Sequence, residues 1–514
     1  MDLKETEIIV PTPEVFRFPG LLRAGLVCLA ILVAHWAFGI FYNLFVHPLS
    51  KVPGPWTAAF SDIPFCRWVL GGRQPFKMVE LHEKYGPAVR IAPNEVSFNS
   101  AQSWKDIYAL KPGRQVFIKS DFYAGSTSAT NGFTSIISER RPEVHKKMRT
   151  LLSSAFSDRA ITEQEELVAE KVDKLVRLVG TRGSGGKPVD VSMMFESMTF
   201  DITCDLSFGE EFGALDMDKR HPWIASAVDS IGITAFVEIM RRFPAFTTAI
   251  YLMMRNKFDK IMADTKSNQD LCHKTIKRRM ERVTDRKDFL TRILKDRDPK
   301  ELPEGQMAAH ASDLVIAGSD TTSTGLSAIV YYLLQNPATS AKLTAEIRKA
   351  FKQYSDINNN STASLKYLRA VILEGMRLYP PAPYGAPRVV PEGGETVDGV
   401  FLPGGVIVST HHLAAGLSSA NFEDPKSFKP ERWIKPEGLH IADSIQPWLL
   451  GPRGCIGLNL AWLELRTTIA KLFWVYDLEP VDPTLDWHKD SEGFLLWDKP
   501  VLSVHAKNRG VRVE

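Results

Sequence analysis

From Ala24 to Ser50 the chain carries no Asp, Glu, Lys or Arg. This run constrains folding more than any other feature, because an uncharged apolar stretch of that length satisfies its backbone within one helix. Leu21–Val46, interrupted only by Arg23, His35 and Asn43, is long enough to span a bilayer as that helix. Trp36, Phe41, Tyr42 and Phe45 gather toward its C-terminal half, as interfacial aromatics do. A cleaved signal peptide is the alternative. The apolar stretch exceeds a usual signal core and follows an acidic, proline-containing segment, so an uncleaved anchor is the expectation. Basic residues flank both sides (Lys4, Arg17 and Arg23; Lys51 and Arg67) and set no orientation. His47–Pro55 then holds three prolines and cannot continue a helix. The expected organisation is a tail over 1–20, an anchor over 21–46, a Pro-rich linker over 47–56 and a catalytic body over 57–514.

The 514 residues are 44% hydrophobic and 24% charged, an ordinary globular composition. A net charge of +3 and the lack of a strongly basic run give no electrostatic case for nucleic acid. The five cysteines are scattered, with no C-x-x-C pair, which excludes a disulfide framework and fits a reducing compartment. Val397–Thr410 and residues 88–98 read as short strands, Tyr123–Ser138 as a long loop, and Glu163–Leu290 as mostly helix. Asn131-Gly132, Gly180–Ser184 and Asn358–Ser361 read as turns or loops. The fold class is mainly α with small β-sheets.

Cys455 lies in Trp448-Leu-Leu-Gly451-Pro-Arg453-Gly454-Cys455-Ile-Gly457, and the apolar run Ile456–Val475 behind it reads as a helix. Glycines let backbone approach a flat ligand, and N–H groups aimed at sulfur orient a metal thiolate. A nearby helix N-terminus is expected to lower the thiol pKa. Two blander readings stand beside this: a lone cysteine as a small buried hydrophobe, and the three glycines as a phosphate loop. The second lacks the Lys-Ser/Thr that would follow. Met307–Gln335 reads as one long helix closed by Pro337. Ala317-Gly318-Ser319-Asp320-Thr321-Thr322 inside it breaks local rules, since glycine and paired threonines weaken a helix and a buried carboxylate is costly. Such a break marks either function or an ion pair to a distant arginine. Glu374 and Arg377 share one helix face at i, i+3, a common pairing by itself.

With Arg432 in Phe428–Trp433, these four segments occur in the order seen in the cytochromes P450, which the chain resembles over essentially its whole length. The cysteine loop is similar to that family's Phe-x-x-Gly-x-Arg-x-Cys-x-Gly, with Trp448 in place of the Phe. The resemblance implies a P450 fold behind one transmembrane helix. It makes Cys455 the axial ligand of haem b iron (iron protoporphyrin IX), with Gly457 completing the loop and Trp448 packing beneath the sulfur. Arg453 is expected on a haem propionate, as are Arg149 and Arg388. His145 stands where the family often has a tryptophan, and its ring N–H could reach a carboxylate. For each arginine singly, a solvated surface position is the ordinary alternative. Thr321 is the implied oxygen-side hydroxyl and Asp320 the acid of a proton relay, with Ala317 and Gly318 leaving room for dioxygen. Glu374, Arg377 and Arg432 form the implied structural network that holds the cysteine loop.

The implied activity is monooxygenation, by hydroxylation or epoxidation, of an apolar small molecule, with dioxygen as co-substrate. NADPH supplies electrons through NADPH-cytochrome P450 reductase. The protein is expected as a single-pass protein of the endoplasmic reticulum membrane, in contact with membrane lipid, its catalytic domain cytosolic. Tyr42–Pro55 is most similar to fungal members of trichothecene-hydroxylase-like type, which implies a terpenoid or polyketide intermediate as substrate. A haem-thiolate isomerase, dehydratase or peroxide-using enzyme is the alternative; a non-catalytic haem- or lipid-binding protein is a third class. Pocket residues are expected from 121–141, 222–258, 309–321, 381–386 and 494–499.

Overall fold

The computed structural model describes residues 18–125, 132–229, 232–282, 284, 286, 288–295 and 302–513. Residues up to Lys51 and from Val52 onward form two separate compact units. In the first, helix Phe18–Phe41 runs into a π-helical turn, Tyr42–Val46. Arg23–Val46 has mean hydropathy 2.2 with none of its window buried, so it is long and apolar enough to cross a membrane. The proline-rich connector divides at this boundary. Pro48–Lys51 goes with the helix, whereas Pro53 accepts a hydrogen bond from the Arg90 N–H at 2.8 Å within the second unit.

That second unit is mainly helical with small sheets. Strands Ala88–Ala92 and Glu95–Phe98 form the expected hairpin, and Glu95–Phe98 pairs in parallel with Ile407–Thr410. Arg388–Val389 and then Ile118–Lys119 complete the five-stranded sheet. Tyr476–Pro480, Ser503–Asn508 and Val189–Asp190 make a second sheet. The expected loop Tyr123–Ser138 falls partly, and Asn131 wholly, outside the described residues. Two turn signals proved helical. Gly180 lies inside helix Glu165–Arg182. Asn358 caps helix Asn359–Ala363, exchanging hydrogen bonds with Ser361 in a capping box.

Helix Glu304–Gln335 is the central element. It begins after Pro303 and stops before Pro337, whose ring clashes with a continuing helix. It packs on helix Val191–Phe208, of which nearly every residue is buried. The hydroxyls that sequence rules count against such a helix bond back into it. Ser319 donates to the Val315 carbonyl at 2.6 Å and Ser327 to that of Ser323 at 2.7 Å. A Cβ on Gly318 would lie 2.5 Å from Thr203 Oγ1 and 2.9 Å from its Cγ2. The glycine is therefore fitted to a helix–helix contact.

Candidate active site

The cysteine loop owes its shape to one glycine. Gly451 adopts φ +71°, and a Cβ there would fall 2.0 Å from the Tyr108 carbonyl oxygen. The chain then turns through Gly451–Arg453, the Cys455 N–H donates to the Trp448 carbonyl at 2.7 Å, and helix Leu458–Val475 starts after Gly457. Cys455 is accessible by surface area yet enclosed by protein, as a group on the wall of an internal space is. Enclosure controls its acidity. Burial pushes the thiol up, and the Gly457 N–H and Arg149 offset this only in part. The expected lowering by the helix end is thus outweighed, and an anionic sulfur here needs a further positive partner. The Trp448 ring packs against Trp462, tilted by 32° with centroids 5.0 Å apart, and Arg369 and Arg466 lie over the Trp462 ring at 5.1 and 5.8 Å.

On the central helix, Leu314, Ile316, Ala317, Gly318 and Thr321 are half-buried, while Asp313, Val315, Ser319, Asp320 and Thr322 are buried. Spacing of three to four residues places Leu314, Ala317, Gly318 and Thr321 on one side of the helix. Thr321 Oγ1 donates to the Ala317 carbonyl at 2.6 Å. Asp320 pairs with Lys499 at 2.9 Å, not with an arginine.

Arg388, Arg453, Arg149 and His145 converge, and Lys119 joins them. Burial, followed by Arg388, lowers Arg453 to about 10. Burial, then Lys119, Arg453, Arg149 and Arg388, takes His145 down to about 3. Burial, then Arg453 and Arg388, takes Lys119 well below the usual lysine range. Arg149 is lowered by burial. Arg453 donates to the Glu139 and Arg140 carbonyls at 2.8 and 2.9 Å, and Arg149 donates to the Gly454 carbonyl at 2.6 Å. Arg388 donates to Tyr123 Oη at 3.2 Å. Two carboxyls stand at the edge of this cluster. Glu139 is committed to Arg141 at 2.7 and 2.9 Å, and burial pushes Asp313 up to about 7. Cations gathered in one place, with Glu139 already bonded to Arg141, suit an anionic group. Lys119 was not legible in the sequence, since nothing local distinguishes it from a strand-edge lysine.

Glu374 is fully buried and accepts from Arg377 at 2.8 and 2.9 Å, from Arg432 Nε at 3.1 Å, and from the Lys429 N–H at 2.9 Å. The Trp433 indole N–H adds a bond at 2.8 Å, a partner that sequence reasoning missed. Arg377 also donates to the Gly416 and Pro425 carbonyls, both at 2.6 Å. Burial, the largest influence, would raise the Glu374 pKa; Arg377, the Lys429 N–H and Arg432 outweigh it, and the carboxyl stays below its ordinary range.

Among the described residues, no group of three or more His, Cys, Asp or Glu could hold a metal. One thiol on an internal wall, a half-buried helix side and a cationic cluster suit a metal that brings its own planar, dianionic ligand set. The chain belongs to the cytochrome P450 family. That family's model, "Cytochrome P450", matches residues 59–503. The chain is similar to "Cytochrome P450 monooxygenase ORF11" of Penicillium roqueforti, 44% identical over 92% of this chain and 99% of that one. It is also similar to "Cytochrome P450 monooxygenase BipB" of Cochliobolus sativus, 40% identical over 96% and 99%. A third relative, "Cytochrome P450 monooxygenase aclL" of Aspergillus oryzae, is 38% identical over 91% and 94%. The chain is thus an oxidoreductase of the P450 monooxygenase class, with haem, dioxygen and reductase-supplied electrons implied by the family.

A cavity is lined by Phe65, Val69, Ile91, Phe122, Tyr384 and Leu495, among others. Four of the five expected pocket segments contribute to it; residues 309–321 do not. Phe65, Val69 and Ile91 were not expected. Arg242 closes one side, bonded to Asp62, Glu95 and Glu238 at 2.5, 2.6 and 2.8 Å.

Proposed function

We propose that this chain is a membrane-anchored haem-thiolate monooxygenase of fungal secondary metabolism. It inserts one oxygen atom into a C–H or C=C bond of an apolar terpenoid or polyketide intermediate. Cys455 holds the iron of haem b, and Arg453, Arg388, Arg149, Lys119 and His145 receive the propionates. The observation that carries the reading is the cationic cluster without a dianion of its own, built around the loop of one enclosed thiol. Haem held there by a thiolate supplies activation of dioxygen toward O–O cleavage.

The remaining work falls to named side chains. The Thr321 hydroxyl spends its proton on the Ala317 carbonyl, so its oxygen accepts a hydrogen bond from a water or ligand on that side of the helix. Asp320, the next residue, holds and passes protons. Phe65, Val69, Ile91, Phe122 and Leu495 favour an apolar substrate and exclude water from its path. Electrons come from NADPH through a reductase on the cytosolic face of the endoplasmic reticulum, where the Arg23–Val46 helix supports an anchor. For hydroxylation the balance is substrate, dioxygen, NADPH and one proton giving hydroxylated product, water and NADP⁺.

The test is turnover of terpenoid and polyketide precursors with reductase, NADPH and labelled dioxygen. The reading expects one labelled atom in the product and none without reductase. An unlabelled product, formed equally well without reductase, contradicts it and favours the isomerase or peroxide-using alternative.

A further inference from the structure

Trp497, Tyr379, Trp487, Tyr331, Tyr332 and His488 pack ring to ring. Trp497 stacks on Tyr379, with centroids 4.4 Å apart and planes at 21°. Tyr379 meets Trp487 at 5.7 Å and His488 at 5.8 Å, Trp487 meets Tyr331 at 4.9 Å, and Tyr331 meets Tyr332 at 5.1 Å. The series starts beside the site, since Trp497 lines the same cleft as Asp320. It ends at half-buried Tyr332, about 16 Å beyond Thr321 along the same helix. Ring packing of this kind is ordinary in a core. The hydroxyls set this case apart. Tyr331 Oη donates to the Leu485 carbonyl at 3.1 Å. Tyr379 Oη lies 2.8 Å from Ser491 Oγ, whose own proton goes to the Trp487 carbonyl at 2.5 Å, so the tyrosine donates. Tyr332 alone of the three faces a base, its Oη lying 2.9 Å from His488 Nε2. Burial, opposed by Asp486 and the Leu378 carbonyl, takes His488 down to about 4, so the ring is neutral and Nε2 accepts the phenolic proton. The stacking of Tyr332 on Phe428, at 5.3 Å and 12°, needs no hydroxyl.

We propose that these rings carry oxidising equivalents away from the site, and that Tyr332, paired with His488, is where they come to rest. An oxidant left when dioxygen is activated with no substrate in place takes one electron from Trp497 or Tyr379. The electron missing there is replaced from Tyr332, through Trp487 and Tyr331 or across His488. An oxidised phenol is a strong acid, so the Tyr332 O–H bond breaks as an N–H bond forms at His488 Nε2. A neutral phenoxyl radical and an imidazolium remain. Tyr331 and Tyr379 face a carbonyl and a hydroxyl, neither of which keeps a proton, so they pass the charge on. A one-electron donor in solution, such as ascorbate, then reduces the radical; the proton returns and the O–H bond re-forms. One electron has moved from the donor to the oxidant, and the chain is unchanged. This inference rests on the haem-thiolate reading of the site.

The experiment mixes haem-loaded wild type, Tyr332→Phe, Tyr379→Phe and His488→Gln with cumene hydroperoxide, without substrate or reductase, and freezes each for electron paramagnetic resonance. The readouts are the yield of tyrosyl radical, identified by its narrowing with ring-deuterated tyrosine, and the rate of haem bleaching. The wild type is expected to give a tyrosyl signal that Tyr332→Phe lowers several-fold, while bleaching quickens several-fold. Tyr379→Phe puts a ring too hard to oxidise into the path, and His488→Gln keeps a hydrogen-bond partner but no base. Each is expected to lower the signal several-fold as well. No tyrosyl signal in the wild type, an undiminished signal or unchanged bleaching in Tyr332→Phe, or wild-type values in both Tyr379→Phe and His488→Gln would overturn the proposal. Should either of the last two lose the spectrum of bound haem, Trp497→Phe interrupts the first contact, with the same deciding results. The reduced carbon monoxide spectrum of the wild type tests the haem-thiolate reading separately.

Discussion

At the scale of single residues, burial and charge compete to set acidity, and at Glu464 burial wins. Burial pushes Glu464 up to about 8, with the Thr322 hydroxyl pulling the other way, and its Oε1 has no partner. A carboxyl with a folded pKa of about 8 and an unfolded value of about 4.3 takes up a proton on folding between those limits. Its contribution to stability is full below the lower limit and is lost as pH rises toward the upper one. The slope is about 1.4 kcal/mol per pH unit. Glu464→Gln should therefore flatten the fall in Tm between mildly acidic and mildly alkaline pH, read by thermal unfolding; equal slopes would count against this assignment. Lys119 carries a different prediction. Its Nζ, donating to the Ile136 and Ile137 carbonyls at 2.9 and 2.6 Å, is crowded by Arg453 and Arg388. Lys119→Met should relieve that crowding and weaken haem retention by about 1.5 kcal/mol, one charge-assisted bond, or roughly tenfold. Transfer of haem to an acceptor apoprotein measures it.

At the scale of elements, helix contacts and one buried network hold the site in place. Glu374→Ala leaves Arg377 and Arg432 without their shared carboxylate, a loss of about 3–5 kcal/mol. Denaturant unfolding should show this together with reduced haem content. Gly318→Ala drives a methyl into Thr203 and should cost about 1–3 kcal/mol by overpacking, read the same way. Much at this scale was legible in the sequence. Helix Glu304–Gln335 was expected from residue 307, and the hairpin over 88–98 followed from alternation. The cysteine loop and the Glu374 network were legible through fixed short motifs. Lys119, Lys499, Trp433 and Glu464 were not, because each acquires its role from a contact distant in sequence. The close contact of Gly318 was hidden for the same reason: its neighbour Thr203 lies on another helix.

At the scale of the whole molecule, the chain divides at Lys51/Val52 into an apolar helical unit and a catalytic body, close to where the prolines begin. The body brings together a loop near residue 455, a helix near 320, a strand at 118–119 and, through Lys499, the segment that follows the antiparallel pair Glu492–Gly493 and Trp497–Asp498. No local stretch contains that arrangement, so the cavity lined by Phe65, Phe122, Tyr384 and Leu495 was legible only as a set of candidate segments. The proposed function rests on one bond, between the Cys455 sulfur and a haem iron. The reduced carbon monoxide complex reports it directly. The wild type should show the long-wavelength Soret band of a thiolate-ligated haem, and Cys455→Ser should lose it. A band that survives in Cys455→Ser, or its absence from haem-loaded wild type, would contradict the account.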